Sequence, residues 1–264
     1  MANSIIAVEN LRKVYKVGSE QVVALDNINF TVPAGQVCCI VGTSGSGKST
    51  LLNQLAGLEK PTRGKVIIGG HNISAFSENR LAVFRQKYVG FIFQSYNLIA
   101  SMTAVENVCM PLIFRGMDKT KRLHAAKKIL AEVGLAGRMR HTPSQMSGGQ
   151  QQRVGIARAF VANPKIIFAD EPTGNLDSKT TIEVMNMMVR LCRTNKQTLI
   201  IVTHDPELAK YADRIITIID GNIVDDVPNE SIAEIFIPDK ITAPAPETTE
   251  AAGGEKHSSE EGQL

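Results

Sequence analysis

The segment Gly42-Thr43-Ser44-Gly45-Ser46-Gly47-Lys48-Ser49 constrains the fold of this chain more than any other. Before it lies a short, mostly apolar run, Gln36 to Val41; after it, Ser49 to Leu58 carries Leu51, Leu52 and Leu55 at helical spacing. A strand, a glycine-rich loop and a helix in that order match the G-x-x-x-x-G-K-[ST] pattern in its proper context. Gly42, Gly45 and Gly47 let the backbone wrap closely around phosphate oxygens, because no Cβ obstructs the dihedrals required. The loop amides and the start of the helix offer partial positive charge to an anion. Lys48 adds a full charge for the β and γ phosphates, and the Ser49 hydroxyl suits a Mg²⁺ ligand.

The surrounding pattern predicts an α/β fold. Val37 to Val41, Ile166 to Ala169, Thr198 to Val202 and Ile215 to Ile219 are apolar without alternation, as strands covered on both faces of a parallel sheet are. Helical patterns separate them, for example Lys179 to Arg193, with Ile182, Val184, Met185, Met188, Val189 and Leu191. Near the N-terminus, Ile5 to Val8, Leu11 to Tyr15, Val22 to Leu25 and Ile28 to Val32 read as four short antiparallel strands. Asp220-Gly221 between two apolar runs is a two-residue hairpin signal. From about Tyr96 to Val161 the periodicity turns helical, and Lys119 to Val133 points Leu123, Ile129, Leu130 and Val133 to one face. That predicts a helical subdomain at about 96–161 inside a domain spanning 1–237. Beyond Pro238 the composition shifts to Pro, Ala, Thr, Ser, Glu and Gly, which predicts a disordered acidic tail over 238–264.

Composition excludes several classes. A net charge of +3 gives no argument for nucleic acid. No apolar stretch approaches the roughly eighteen residues that span a bilayer, and Met1-Ala2-Asn3-Ser4 does not open a secretory leader. Cys38, Cys39, Cys109 and Cys192 lack metal-ligand or redox spacing, so they read as buried thiols of a reducing compartment.

Further candidates flank the loop. Asp170 ends the apolar run Ile166 to Ala169, where a carboxylate emerges at the carboxyl end of a strand and can hold Mg²⁺. Met146-Ser147-Gly148-Gly149-Gln150 introduces a helix over Gln151 to Phe160; Ser147 can cap it, and its glycine amides make a second phosphate-seeking surface. Alone, Ser-Gly-Gly would be a turn before a helix, a lone histidine is usually structural, and a tyrosine among β residues usually packs.

Together these residues resemble the ATP-binding cassette ATPases over about Ile5 to Asp226. The resemblance implies a RecA-like P-loop core, an N-terminal antiparallel β subdomain and an α-helical subdomain carrying Ser147 to Gln150. It also implies roles. Gly42 to Thr50 hold the phosphates; Glu171 polarises the attacking water; His204, after the strand Leu199 to Val202, contacts the γ-phosphate; Gln94 senses Mg²⁺; Tyr15 stacks on adenine. Ser49, Asp170 and Gln94 would bind the metal, and Glu171, His204, Lys48 and Gln94 would serve catalysis. Ser147, Gly148, Gly149 and Gln150 would meet ATP held by another copy, with Asp177 at the seam of a head-to-tail homodimer. Met146 replaces the family's usual leucine, and Gly-Asn-Leu precedes Asp177 in place of Ser-Ala-Leu.

Gly90 to Gln94, Thr103 to Val108 and Asp170 to Asp177 are similar to the lipoprotein-release and macrolide-export branch, and also to the cell-division cassette that works with an FtsX-type partner. The resemblance therefore implies an ATPase at the cytoplasmic face of the inner membrane, held there by a separate permease docked on Gln94 to Asn107. Two outputs stay open: ATP-driven export or extraction of a substrate, and mechanical activation of an extracytoplasmic process without transport. A soluble cassette for repair or translation would carry a coiled-coil insertion or a second cassette, and neither is present.

Overall fold

The computed structural model describes residues 4–231; the expected tail, 238–264, lies outside the described residues. In place of four short N-terminal strands there are two long ones, β1 (Ser4–Val17) and β2 (Glu20–Pro33), paired antiparallel. The pairing shifts register after Val8, and Asn10 and Asn27 take left-handed backbone, φ 47° and 48°. Asparagine tolerates that conformation, so the breaks in the apolar pattern are bulges and not turns. The Asn29 side chain fixes the first of them by accepting from the Asn10 N–H at 2.8 Å.

Strand β3 (Val37–Val41) leads through the glycine-rich loop into helix α1 (Lys48–Leu55), which stops three residues before the expected Leu58. Gly57, at φ 64°, donates to the Gln54 carbonyl at 3.2 Å, and Leu58 donates to Asn53 at 2.9 Å. That pair of bonds is the Schellman end of a helix, and it needs the glycine. There follow β4 (Arg63–Ile68), β5 (His71–Asn72) and α2 (Glu78–Tyr88), then β6 (Val89–Phe93). Helices α3 (Ala104–Phe114), α4 (Lys119–Glu132) and α5 (Gly148–Phe160) come next. The chain continues through β7 (Ile166–Asp170), α6 (Ser178–Thr194), β8 (Thr198–Thr203), β9 (Arg214–Ile219) and β10 (Asn222–Pro228).

Two sheets result. One has the order β2-β1-β4-β5, antiparallel; the other has the order β10-β9-β3-β8-β7-β6, parallel except for its β10 edge. Alternate residues of the parallel strands feed opposite cores. Val37, Cys39, Ile167, Ala169, Leu199 and Ile201 pack with α3 to α6. Cys38, Ile40, Phe168, Ile200, Val202 and Ile216 pack with α1 and the antiparallel sheet. Both faces are covered, which is why these strands carry unbroken apolar sequence.

Helix α6 buries Val184, Met185, Met188 and Val189 as its periodicity predicts, whereas Ile182 is exposed. All four cysteines are free and buried, and burial pushes the Cys38 and Cys192 thiols up to about 12, so they pack as neutral groups. The Asp220-Gly221 turn has φ 47° and 75°, the pair of positive values that a type I′ hairpin requires.

Candidate functional site

Backbone crowding explains two glycines of the loop. A Cβ on Gly42 would sit 2.2 Å from the Ile218 carbonyl, and one on Gly47, at φ 100°, would sit 2.4 Å from the Ala24 carbonyl. Neither neighbour is a flexible side chain, so the strands on both sides leave room only for glycine. The hairpin turn then pins the loop: the Gly221 N–H donates to Ser46 at 3.0 Å, and its carbonyl accepts from Asp26 at 2.9 Å. Lys48 is buried and reaches back to the Thr43 carbonyl at 2.8 Å, which spans the loop. Before it opens a cleft of about 350 Å³ whose walls include Ser44, Gly45, Gly47, Lys48, Ser49 and Thr50, together with Glu171 and His204.

Parallel pairing of β7 with β8 and β6 carries the acidic residues to this mouth, since Asp170 pairs with Phe93 and Val202. Ser49 Oγ donates to Asp170 Oδ1 at 3.2 Å. Two hard oxygen donors this close fit Mg²⁺, which takes one carboxylate and leaves its other positions to water and phosphate. Burial raises the Asp170 pKa, the Ser49 hydrogen bond opposes that, Glu171 adds to it and Lys48 again opposes it.

Glu171 takes left-handed backbone, φ 46°, a conformation that costs a non-glycine residue about 1–2 kcal/mol. The Glu171 N–H donates to Val202 at 2.9 Å, extending the ladder one residue past the strand. Its carboxylate is held by three donors. Thr203 Oγ1 donates to Oε2 at 2.9 Å; the His204 N–H donates to Oε1 at 2.9 Å, and His204 Nδ1 lies 2.7 Å from the same oxygen. Thr203 is a residue that the sequence reading missed. It is fully buried at the end of β8 and itself accepts from the Asp205 N–H at 3.0 Å, and nothing in an apolar run ending in threonine announces that role.

Gln94, just past β6, is exposed and lies over Gly174, where a Cβ would meet its Nε2 at 2.7 Å. It makes no hydrogen bond to Ser49 or Asp170. Tyr15 donates to Glu59 at 2.6 Å beneath the Lys13 ammonium, which sits 4.9 Å from its ring centroid; it does not line the loop cleft. Glu59 also takes Lys13 at 3.1 Å, so the tyrosine is fixed by the segment after α1.

Ser147 caps α5 in a capping box: its Oγ accepts from the Gln150 N–H at 3.4 Å, and Gln150 Oε1 accepts from the Ser147 N–H at 3.1 Å. The helix therefore begins at Gly148, three residues before the expected Gln151, because both glycines fill its first turn. Ser147, Gly148, Gly149 and Gln150 line a separate cleft of about 660 Å³ with Asn175, Asp177 and Arg153. This cleft and the loop cleft have no lining residue in common. Asp177 caps α6, accepting from the Thr180 N–H at 3.0 Å, and those bonds lower its pKa. The glycine-rich loop and the Ser147 capping box of one chain thus face two clefts with separate walls.

The family model described as ABC transporter matches residues 25–174, from β2 to the segment after Glu171. The chain belongs to the ABC transporter family. An uncharacterised ABC transporter ATP-binding protein of Methanocaldococcus jannaschii is 51% identical over 83% of this chain and 98% of its own length. The lipoprotein-releasing system ATP-binding protein LolD of Geobacter metallireducens is 45% identical over 85% of this chain and 100% of its own. The macrolide export ATP-binding/permease protein MacB of Vibrio parahaemolyticus is 44% identical over 88% of this chain, which spans 35% of that relative. Among solved structures, the ATP-binding cassette MJ0796, a dimer in a post-hydrolysis state bound to ADP and Pi, superposes with a TM-score of 0.79. It is 41% identical and covers 84% of this chain and 98% of that one.

The ABC cassette is accordingly an ATPase with a P-loop core, the ATP-driven subunit of an ABC transporter. Among the described residues no helix is long and apolar enough to cross a membrane.

Proposed function

We propose that two copies of this cassette close head to tail on two ATP molecules and drive export or extraction through a separate permease at the membrane. The observation that carries the proposal is the separation of the Lys48 cleft from the Ser147 cleft within one chain. Each is half of a phosphate site, and a two-fold related copy supplies the other half twice. Gly42 to Thr50 hold the triphosphate, with Lys48 offsetting charge that develops on the phosphoryl oxygens. Ser147, Gly148, Gly149 and Gln150 of the other copy meet the γ-phosphate, the Gly148 and Gly149 amides being free to donate while the capping box engages those of Ser147 and Gln150.

In this reading Ser49, Asp170 and Gln94 would hold Mg²⁺. The metal neutralises phosphate charge when bound. Glu171 is the base. A carboxylate has about four lone-pair positions, and Thr203 and His204 occupy three, all on defined sides of the group. The remaining position on Oε2 receives the attacking water. His204 both orients Glu171 and lines the phosphate cleft, so it links base and γ-phosphate. Tyr15 stacks on adenine, held upright by Glu59 and Lys13.

The permease contact is an apolar groove of about 370 Å³ between β6 and α3. Only Asn97 and Ile99 come from the stretch Gln94 to Asn107; the apolar wall is Phe91, Phe93, Met110, Pro111 and Phe114, and Phe114 is 62% exposed. LolD and MacB are named for lipoprotein release and macrolide export, which supports a cargo moved out of, or away from, the cytoplasmic membrane. The test is purification of the Glu171→Gln cassette from membranes with ATP. Recovery of a permease, lost on Phe114→Asp, supports the reading, and a cassette recovered alone and soluble in every nucleotide state contradicts it. Reconstitution of the pair then decides the output, since ATP-dependent enzyme activation without cargo movement would replace transport by mechanical signalling.

A further inference from the structure

The loop after β6 is tied down from two sides. Tyr96 and Asn97 both adopt left-handed backbone, φ 58° and 48°, an unfavourable state for a tyrosine in particular. Arg158, in the last turn of α5, donates through Nη2 to the Tyr96 carbonyl at 2.8 Å and through Nη1 to the Asn97 carbonyl at 2.5 Å. It is half-buried, and no salt bridge among the described residues includes it. Burial lowers its pKa. On the other side of the loop, Asn175 Nδ2 donates to the Gln94 carbonyl at 3.0 Å. Gln152, fully buried on α5, donates to the Pro172 carbonyl at 2.5 Å and so ties the same helix to the segment after Glu171.

We propose that Arg158 is a positioning residue for hydrolysis: its guanidinium fork locks Tyr96 and Asn97 in the left-handed form, so that α5, which begins at Ser147, and Gln94 move as one unit. The reasoning rests on the role given to Gln94 under the proposed function. A guanidinium suits the task because two separate nitrogens of one rigid plane meet two adjacent carbonyls, whereas a lysine offers a single nitrogen on a flexible stem. Without the fork, the two residues relax towards ordinary dihedrals, and Gln94 loses its register with the partner-facing end of α5.

The test is Arg158→Met, with Arg158→Lys as the variant that keeps the charge but not the fork. Amide hydrogen exchange is the first readout. In Arg158→Met, amides 95–98 should exchange about tenfold or more faster while the rest of α5 stays protected; in Arg158→Lys the change should be smaller. Steady-state ATP hydrolysis is the second: kcat should fall about tenfold with KM within about threefold, the split expected when ground-state binding is kept and the reacting geometry is lost. In a cycle with Gln94→Ala, the double variant should lose little more than the worse single variant. Unchanged exchange, a lowered Tm with kcat intact, or fully additive losses would each overturn the proposal. Should Arg158→Met not fold, Arg158→Lys decides alone, and wild-type exchange in it overturns the lock. Wild-type turnover by Gln94→Ala would instead remove the role given to Gln94, while the exchange data still decide whether Arg158 holds the loop.

Discussion

Replacing Glu171 by glutamine separates structure from chemistry, because the carboxylate's three donors allow the amide to be seated. Gln Oε1 can keep both His204 contacts, at the positions now 2.9 Å from the N–H and 2.7 Å from Nδ1. Its Nε2 takes the place of Glu171 Oε2, now 2.9 Å from Thr203 Oγ1, and the hydroxyl turns from donor to acceptor. What is lost is the charge assistance of those bonds, about 1–2 kcal/mol in all. Relief of repulsion with Asp170, whose pKa Glu171 raises, offsets part of that. Tm should therefore fall by no more than about 5 °C in a chain of this size. Turnover should behave differently, since removal of a general base costs about 10²–10⁴-fold, or roughly 2.7–5.4 kcal/mol of barrier. Phosphate release, differential scanning fluorimetry and nucleotide-binding titration on one preparation read the three quantities. A kcat within about threefold of wild type would refute the assignment of the base. A loss of kcat matched by a collapse of Tm would show that the carboxylate is structural.

Lys48→Ala should lower hydrolysis by about 10²-fold or more, with weakened ATP binding, and unchanged activity would discredit the loop's role. Ser147→Ala removes one cap and should cost about 1 kcal/mol, a Tm shift of about 2–4 °C. Ser147→Arg in a Glu171→Gln background should abolish the ATP-dependent dimer seen by light scattering, and a retained dimer would count against the shared site. Asp170→Asn carries a pH signature. The folded-state pKa of Asp170 is raised, chiefly by burial, so its contribution to stability is full at acidic pH and is lost as pH rises through that value. The variant should raise the Tm of the nucleotide-free chain near pH 7, with the gain vanishing by about pH 4, while hydrolysis drops. A gain that grows towards acid would invert the argument.

The legible parts of this chain are those where one residue type answers one physical demand. Gly42 and Gly47 stand where a Cβ would strike backbone, and Asp220-Gly221 where two positive φ values are needed, so both could be read from residue identity. The parallel strands were legible because both faces are covered. The N-terminal strands were divided too finely because a bulge, as at Asn10 and Asn27, interrupts the apolar pattern just as a turn does; only the pairing of β1 with β2 decides between them. Residues 63–88 went unread: β5 has two residues, and α2 buries only Leu81 and Phe84. The capping box at Ser147 was half visible, since the serine suggests a cap but the glycines after it suggest no helix. Thr203 and Arg158 were invisible for a different reason. Their partners, Glu171 and the Tyr96 and Asn97 carbonyls, lie far away in sequence and are brought near only by the register of β7 with β8 and the packing of α5.

The structure of the Glu171→Gln chain with Mg²⁺ and ATP bears most directly on the central claim. Two copies should enclose two nucleotides, with the γ-phosphate beside Lys48 of one copy and within hydrogen-bond reach of Ser147 and Gly149 of the other. A nucleotide wholly enclosed by one chain, with Ser147 to Gln150 remote from every γ-phosphate, would contradict it.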